Sequence, residues 1–403
     1  MGCGPPGVDP AGPGSPGGGG DARLGGAFER PMIRVLMVSK ACYVAEYRKK
    51  LRALVAGGEV ELGLVVPPFW RFGKEVAPFE PGADEGYRVY ILPPRFNGQV
   101  HLHYYPGLGR VLAEFKPDLV HLDEEPYDLV TFHGLQLARR VGAVCLFFTW
   151  QNLLNPIPPP FSWFQRSVFA GAAGAVAGNR EAEQVLRRRG FTGPVAVIPQ
   201  FGVDPELFRP EPRPRSGPFR IGFVGRLVPE KGAYWLLDAV AGLEGDWELL
   251  IVGGFGSNPD VRREVEARLR RLGGRCRLLG PFASAEMPEF YRSIDVLVVP
   301  SLTGRRWKEQ FGRVIVEAQA CGVPVVGSDS GEIPRTLGDG GIVVPEGDVL
   351  GLRGAIRRLM LDPTLRRILG ELGRRQAVAR FSHRVVAEQT REFYRRLILG
   401  RRP

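Results

Sequence analysis

The stretch from Glu309 to Ser328 constrains this chain most, because it reads as a loop, a short helix and a strand in immediate succession. Ala, Val, Ile, Glu and Gln between Arg313 and Ala320 favour helix, Gly322 supplies a C-terminal stop, and Val323 to Val326 is a short apolar run suited to a buried parallel strand. Phe311-Gly312 therefore falls at the helix N-terminus. Unpaired backbone N–H groups and the positive dipole end make that a seat for an anion such as a diphosphate, and Gly312 allows close approach to the backbone. Glu309 lies ahead of the helix and can reach beyond the phosphate; Glu317 lies about a turn and a half inside and can accept from hydroxyls on the other side. Carboxylates gripping neutral hydroxyls suit a sugar at one end and a ribose at the other.

At 403 residues and 44% apolar, the chain can bury a large core and is long enough for two domains. No apolar run approaches the roughly 20 residues needed to cross a bilayer, Val144 to Trp150 being typical of the longest. Cys3, Cys42, Cys145, Cys276 and Cys321 show neither paired nor metal-ligand spacing, which argues for a reducing compartment, the cytoplasm, and against zinc or a disulfide framework. The net charge of +11 comes mostly from arginines beyond Leu352, among them Arg357, Arg366, Arg367, Arg374 and Arg375. Spaced along helices in this way they read as solvated faces, and no nucleic-acid module is recognisable.

The rest of the chain alternates strands with helices. Residues 1 to about 31 are mainly Gly and Pro, cannot bury a core and lack a signal peptide's basic start and apolar centre; disorder is expected there, with Met1 and Met32 both open as the start. Met32 to Val38 is a strand, followed by Ser39 to Tyr43 and a helix with apolar positions at Val44, Tyr47, Leu51, Leu54 and Val55. Open α/β sheets hold ligands at such strand ends, which makes Lys40 a candidate. Glu59 to Val66 is the second strand, and Pro67 to Lys74 interleaves aromatics with cations, either as an interfacial anchor or acceptor platform or as a loop packed over the domain. His101 to Tyr105 either lines a cleft or alternates along an edge strand; no third metal ligand accompanies the two histidines. The strand Pro117 to His121 ends in Asp123-Glu124-Glu125, acids that either cap the following helix or serve in the site, Glu125 being the best placed. Val141 to Thr149 leads into Trp150-Gln151-Asn152, and strands at 175–177 and 195–198 complete a first parallel domain.

Arg209 to Pro218 is Pro-rich and polar, a linker. The next strand ends at Gly225, and Arg226 and Lys231 flank the turn into a helix, the pairing of cations that a departing diphosphate needs. Trp247 to Val252 runs into Gly253-Gly254-Phe255-Gly256, and Arg277 to Gly280 precedes Pro281-Phe282. Ile294 to Pro300, then Ser301, leads to the basic loop of Arg305, Arg306 and Lys308, which either reaches an acidic substrate or is solvated.

Glu309 and Glu317, seven residues between them, followed by Ala318-x-Ala320-x-Gly322-x-Pro324-Val325-Val326, resemble the donor-site signature of retaining glycosyltransferases of the GT-B class, family 4. Gly225-Arg226-x-x-x-x-Lys231-Gly232 resembles the same family's cationic turn, and Pro199 to Pro210 its interdomain segment with Phe201 inserted. The resemblance spans about residues 32 to 400 and is strongest from 219 to 345. It implies an α/β GT-B fold, two Rossmann-like domains facing across a cleft with the C-terminal helix crossing back to the first. The implied boundaries are a leader 1–31, an acceptor-side domain 32–200, a linker 201–218, a nucleotide-sugar domain 219–380 and the returning helix 381–403. It further implies a metal-independent hexosyltransferase with a nucleotide-diphosphate sugar as donor and no cofactor. Arg226 and Lys231 would stabilise the leaving diphosphate, Glu309 hold sugar hydroxyls and Glu317 the ribose. The backbone of Phe311, Gly312, Arg313 and Val314 would hold phosphate and sugar, Gly225 and Gly253 would form the turns beneath, and Phe282 would neighbour the base. Two departures stand out: no Gly-Gly pair follows the first strand, and Gln151 stands where many relatives carry a histidine. Glutamine can donate a hydrogen bond to a sugar hydroxyl but cannot act as a base. Lys40, Glu125 and Gln151 are the acceptor-side candidates, for a glycan, lipid or small-molecule hydroxyl, with peripheral contact at the inner membrane face for a lipid. A sugar-nucleotide epimerase and a non-catalytic sugar-nucleotide-binding scaffold are the alternatives.

Overall fold

The computed structural model describes residues 32–73, 75–82, 86–212 and 217–400; the expected leader, Lys74, linker residues 213–216 and the terminal Arg401 and Arg402 lie outside them. The first half contains β1 (Ile33–Val38), α1 (Ala45–Val55), β2 (Val60–Val66), β3 (Phe69–Phe72), β4 (Glu75–Pro78), β5 (Arg88–Ile91), α2 (Leu108–Phe115), β6 (Leu119–Leu122), α3 (Leu129–Arg140), β7 (Val144–Thr149), α4 (Phe161–Gly171), β8 (Gly174–Ala177), α5 (Arg180–Arg188) and β9 (Val195–Val197). The second contains β10 (Phe219–Val224), α6 (Ala233–Ala241), β11 (Trp247–Val252), α7 (Pro259–Leu272), β12 (Cys276–Gly280), α8 (Met287–Ser293), β13 (Val296–Val299), α9 (Arg313–Ala320), β14 (Val325–Ser328), α10 (Ile333–Leu337) and β15 (Gly341–Val344). Three helices close the chain: α11 (Val349–Leu361), α12 (Pro363–Phe381) and α13 (His383–Leu399).

Each half is a parallel sheet with helices on both faces, in the order β5-β2-β1-β6-β7-β8-β9 and β12-β11-β10-β13-β14-β15. Covering both faces removes any solvent-side alternation, so β7 and β13 are buried along their whole length and read as continuous apolar runs. In both sheets the strand order reverses beside the first strand, between β1 and β6 and between β10 and β13. Ligands of such sheets sit outside the strand C-termini at that reversal. This is the GT-B architecture, two Rossmann-like halves.

The last helix returns to the first half. Ser382 caps α13, which packs on α1, places the Tyr394 hydroxyl 2.7 Å from His121 Nδ1 and donates from Arg391 to the Ala53 and Leu54 carbonyls. The start of the expected linker is tethered rather than free: Val203 exchanges backbone hydrogen bonds with Phe381 and His383, and Val203 and Phe208 are buried in the second half's core.

Two local expectations need correction. The stretch after Pro68 is a β-hairpin, because Phe69 to Phe72 pairs antiparallel with Glu75 to Pro78 about the turn at Gly73. It buries Trp70 edge-on to His103 and leaves Phe72 54% exposed. His101 to Tyr105 is a turn, not an edge strand; its one bridge joins Tyr104 to Arg95, and the two histidines go to opposite environments, His103 buried and His101 half-exposed. Among the described residues no helix is long and apolar enough to cross a membrane.

Candidate active site

The second sheet's reversal point brings together residues that lie far apart in the chain. The strand β10 ends at Val224, Gly225 follows, Arg226 is exposed, and Pro229–Lys231 forms a single tight turn. Gly232 then takes φ +71°, and a Cβ there would collide with the Pro300 carbonyl oxygen; the Lys231 turn is thereby pressed against the end of β13. From that position Lys231 Nζ donates to Glu309 Oε2 at 2.7 Å and lies 4.6 Å from the Trp307 ring centroid. Ser301 Oγ, at the end of β13, donates to the same carboxylate oxygen at 3.1 Å. Glu309 is 8% exposed, so a buried carboxylate is held by one cation and one hydroxyl.

Gly312 follows as the N-cap of α9 at φ +73°; no side chain caps that end and its first turn contains no acid. The helix therefore presents bare N–H groups and an uncompensated dipole end beside Lys231 and Glu309. Phe311 can offer only its backbone, since its ring is buried between Trp150 and Phe381, at centroid distances of 6.0 and 5.4 Å. Val314 packs partly into the same core. Glu317 is deeper than a freely accepting carboxylate: Tyr291 donates to Oε2 at 2.7 Å and Arg313 pairs with Oε1 at 2.9 Å, while burial pushes its pKa up. Arg313 and Glu317 line a small cavity shared with Tyr47 of α1, and the Arg313 guanidinium lies 5.7 Å from the Tyr47 ring centroid. Gly253 packs backbone to backbone on Gly225, where a Cβ would strike the Gly225 carbonyl. Phe282 stands apart from this group, half-buried edge-on to Phe290 in a groove with Arg220 and Glu248.

The first sheet meets the Glu309 loop directly. Asn152 donates to the Glu309 carbonyl at 3.3 Å, Asn179 to the Gln310 carbonyl at 2.6 Å, and Gln310 returns a bond to the Trp150 carbonyl at 3.0 Å. Lys308 of the basic loop pairs with Glu181 of α5 at 2.5 Å, so it is neither solvated nor free to meet a substrate without losing that partner. Gln151, between these contacts, donates its N–H to Thr149 Oγ1 and keeps its side chain half-buried at the junction.

The acids at the end of β6 do not cap α3, so of the two roles open to them in the sequence the capping role falls away. The helix starts only at Leu129, and its N-cap residue is Asp128. Asp123, Glu124 and Glu125 instead turn back across the strand ends. Asp123 accepts from Ser39 Oγ at 2.8 Å, Glu124 from the Lys40 backbone N–H at 2.6 Å and also from the Lys40 ammonium, and Glu125 from Thr149 Oγ1 at 2.6 Å and the Trp150 N–H at 2.8 Å. Burial pushes Glu124 and Glu125 each up to about 7, with Lys40 pulling Glu124 back and the Thr149 hydroxyl pulling Glu125 back. Beside them His101 Nδ1 lies 2.7 Å from buried Asp128, which raises the imidazole's pKa. Lys40 and Glu125 are thus brought together with Gln151, while Ser301, Trp307, Tyr291 and Asp128, the partner of His101, carry no site assignment from sequence. Ser301 had a signal, as the first polar residue after an apolar strand at a reversal point; the others depend on tertiary contacts.

Models of known families match both halves: glycosyl transferases group 1 over residues 218–362 and a glycosyl transferase 4-like domain over residues 42–200. The D-inositol 3-phosphate glycosyltransferase of Kribbella flavida is 30% identical across 92% of this chain and 97% of its own length. The chain belongs to the group 1 glycosyl transferases. The D-inositol 3-phosphate glycosyltransferase of Streptomyces bingchenggensis is 31% identical over 258 residues, 58% of this chain; the chain spans just over half, 55%, of that relative's length. In structure, Anabaena HepE in complex with UDP superposes with a TM-score of 0.70 over 91% of this chain and all of its own, at 20% identity, which shows a common fold.

Proposed function

We propose that the chain is a retaining glycosyltransferase that moves a hexose from a nucleotide-diphosphate sugar to a hydroxyl-bearing acceptor. The observation that carries this reading is the meeting of Lys231, Glu309 and the uncapped N-terminus of α9 at one reversal point, with Arg226 exposed beside them. As the glycosidic C–O bond breaks, its electron pair moves onto the diphosphate oxygen. Arg226, Lys231 and the helix N–H groups face the charge that builds there, and this is the role a metal ion serves in other phosphate sites. Lys231 drawn to the diphosphate releases Glu309, whose freed oxygen accepts from the sugar hydroxyls. Glu317 accepts from the ribose with Tyr291 and Arg313 fixing its orientation. The acceptor hydroxyl, oriented by Gln151, attacks the anomeric carbon on the face that the diphosphate leaves and gives its proton to the departing phosphate oxygen, so no protein base is required.

The UDP complex of the Anabaena neighbour supports uridine donors as the first to try, and the names of the relatives put inositol phosphate first among acceptors. A lipid-linked acceptor at the cytoplasmic membrane face is the competing choice, supported by Phe72 and Phe96, 54% and 59% exposed, on segments that follow β2 and β5. The test is calorimetric titration of UDP-, GDP- and ADP-sugars against the protein and its Glu317→Ala variant. One donor is expected to bind tightly and to lose affinity in the variant; a protein that binds none of them is not a transferase of this kind.

A further inference from the structure

The arginines beyond Leu352 read as solvated faces in sequence, and the structure divides them. Several are tied to backbone carbonyls or carboxylates: Arg353 to Ala239, Arg391 to Ala53 and Leu54, Arg395 to Glu59. Four others, Arg366, Arg367, Arg374 and Arg375, line one cavity of about 650 Å³ beside α12, whose lining includes neither Lys231 nor Glu309. The spacing explains the grouping, since residues four and eight apart share one face of a helix. Gly370, at the centre of that face, lets α12 press its backbone onto the turn after α9, where a Cβ would strike the Gly322 carbonyl. Gly322 and Pro324 of that turn line the cavity together with the four arginines.

These guanidiniums are not equivalent. Arg374 is fixed, donating Nη1 to the Phe208 and Ala320 carbonyls and Nη2 to the Pro205 carbonyl at 3.2 Å, and Arg366 donates to Leu359 and Met360. Such bonds to neutral carbonyls orient a guanidinium without cancelling its charge. Arg367 is exposed and pairs with Glu371 at 2.8 Å; Arg375 is exposed and has no ion pair among the described residues. The lining thus contains four cations against the single carboxylate of Glu371. A concave, one-signed wall concentrates potential, and arginine's planar fork matches phosphate oxygens. The volume lies in the range of small-molecule sites.

We propose that this groove binds a small phosphate-bearing anion, at a site separate from the donor site. The phosphate is either that of a free phosphorylated compound or the headgroup of a phospholipid. Because Arg374 is tied to Pro205 and Phe208, one wall of the groove is anchored to the segment that connects the two sheets.

Inorganic pyrophosphate is titrated calorimetrically into the Arg226→Ala/Lys231→Ala protein, which lacks the two cations assigned to the leaving diphosphate, and into the same protein also bearing Arg367→Glu and Arg375→Glu. Both of the latter side chains are exposed, so the fold and melting temperature are expected to persist. Pyrophosphate is expected to bind the first protein and to bind the second at least about tenfold more weakly. In parallel, both are sedimented with phosphatidylcholine vesicles containing phosphatidylglycerol. Sedimentation that the charge reversal abolishes, with pyrophosphate silent, assigns the site to a lipid headgroup; pyrophosphate binding that it abolishes assigns it to a free anion. If neither probe binds the first protein, or if binding is indifferent to the charge reversal, the proposal fails. These outcomes do not depend on any sugar nucleotide, so failure of the donor reading is scored separately.

Discussion

Replacing Lys231 by alanine separates a leaving-group role from a merely structural one. Its side chain is 28% exposed and stands 2.7 Å from a carboxylate that is itself almost buried. A cation about 4 Å from developing phosphate charge, at an effective dielectric near 20, is worth about 4 kcal/mol. Loss of one preorganised transition-state donor ordinarily costs about 2.7–4 kcal/mol. A fall in kcat of about 100- to 1000-fold is therefore expected, measured by release of nucleoside diphosphate under saturating donor. The same change strips Glu309 of its cation and leaves only Ser301, a desolvation cost of about 1–3 kcal/mol that lowers the melting temperature. The double variant Lys231→Ala/Glu309→Gln removes the stranded charge, so its melting temperature is expected to recover while its rate does not. Recovery of the rate in the double variant would mean that Lys231 serves only to neutralise Glu309, and a kcat within about threefold of the parent in Lys231→Ala would refute the leaving-group role outright.

Two further perturbations probe the scaffold. Gly232→Ala places a Cβ against the Pro300 carbonyl at φ +71°, and a destabilisation of about 3 kcal/mol or more is expected by chemical denaturation; a variant as stable as the parent would show that the Lys231 turn is not pressed on β13 as described. Glu125, held up to about 7 by burial against about 4.5 in an unfolded chain, binds its proton more tightly when folded. Its contribution is therefore fully present below about pH 4.5 and is lost as pH rises through about 7. The stability difference between the protein and Glu125→Gln, followed by urea titration across that window, should change in this direction; a difference independent of pH would refute the shift.

The second half was legible because its signals are local. The run from Arg313 to Val326 declares helix, stop and strand within one stretch, and Arg226 and Lys231 bracket a turn whose glycine is required by its backbone angle. Each of those features is decided by neighbours a few residues away. What the sequence did not reveal is where side chains terminate. Glu317 reads as a free acceptor but takes its partners from Tyr291, one helix away, and from Arg313; Lys308 reads as either a substrate-facing or a solvated cation but pairs with Glu181 across the junction of the halves. The hairpin at Phe69 does not show in the sequence because its strands are only four residues long, too short for alternation to declare itself, and its register depends on pairing rather than on pattern.

The acid triplet after β6 shows why the first half resists such reading. Three acids before a helix are the ordinary signature of an N-terminus, and the helix does begin a few residues later. The competing demand comes from the strands on either side. β1, β6 and β7 end side by side, and their terminal backbone and hydroxyl groups need acceptors where no further strand continues the ladder. Asp123, Glu124 and Glu125 supply these acceptors to Ser39, Lys40, Thr149 and Trp150 in turn. The turn after β1 is thereby fixed by carboxylates, at the place where many of the resembling proteins have two glycines. A glycine turn admits a phosphate to its backbone, whereas a turn whose N–H already donates to Glu124 does not. On the proposed reading, the diphosphate contacts then come from the second half alone, from Arg226, Lys231 and the end of α9, and the first sheet is left to the acceptor.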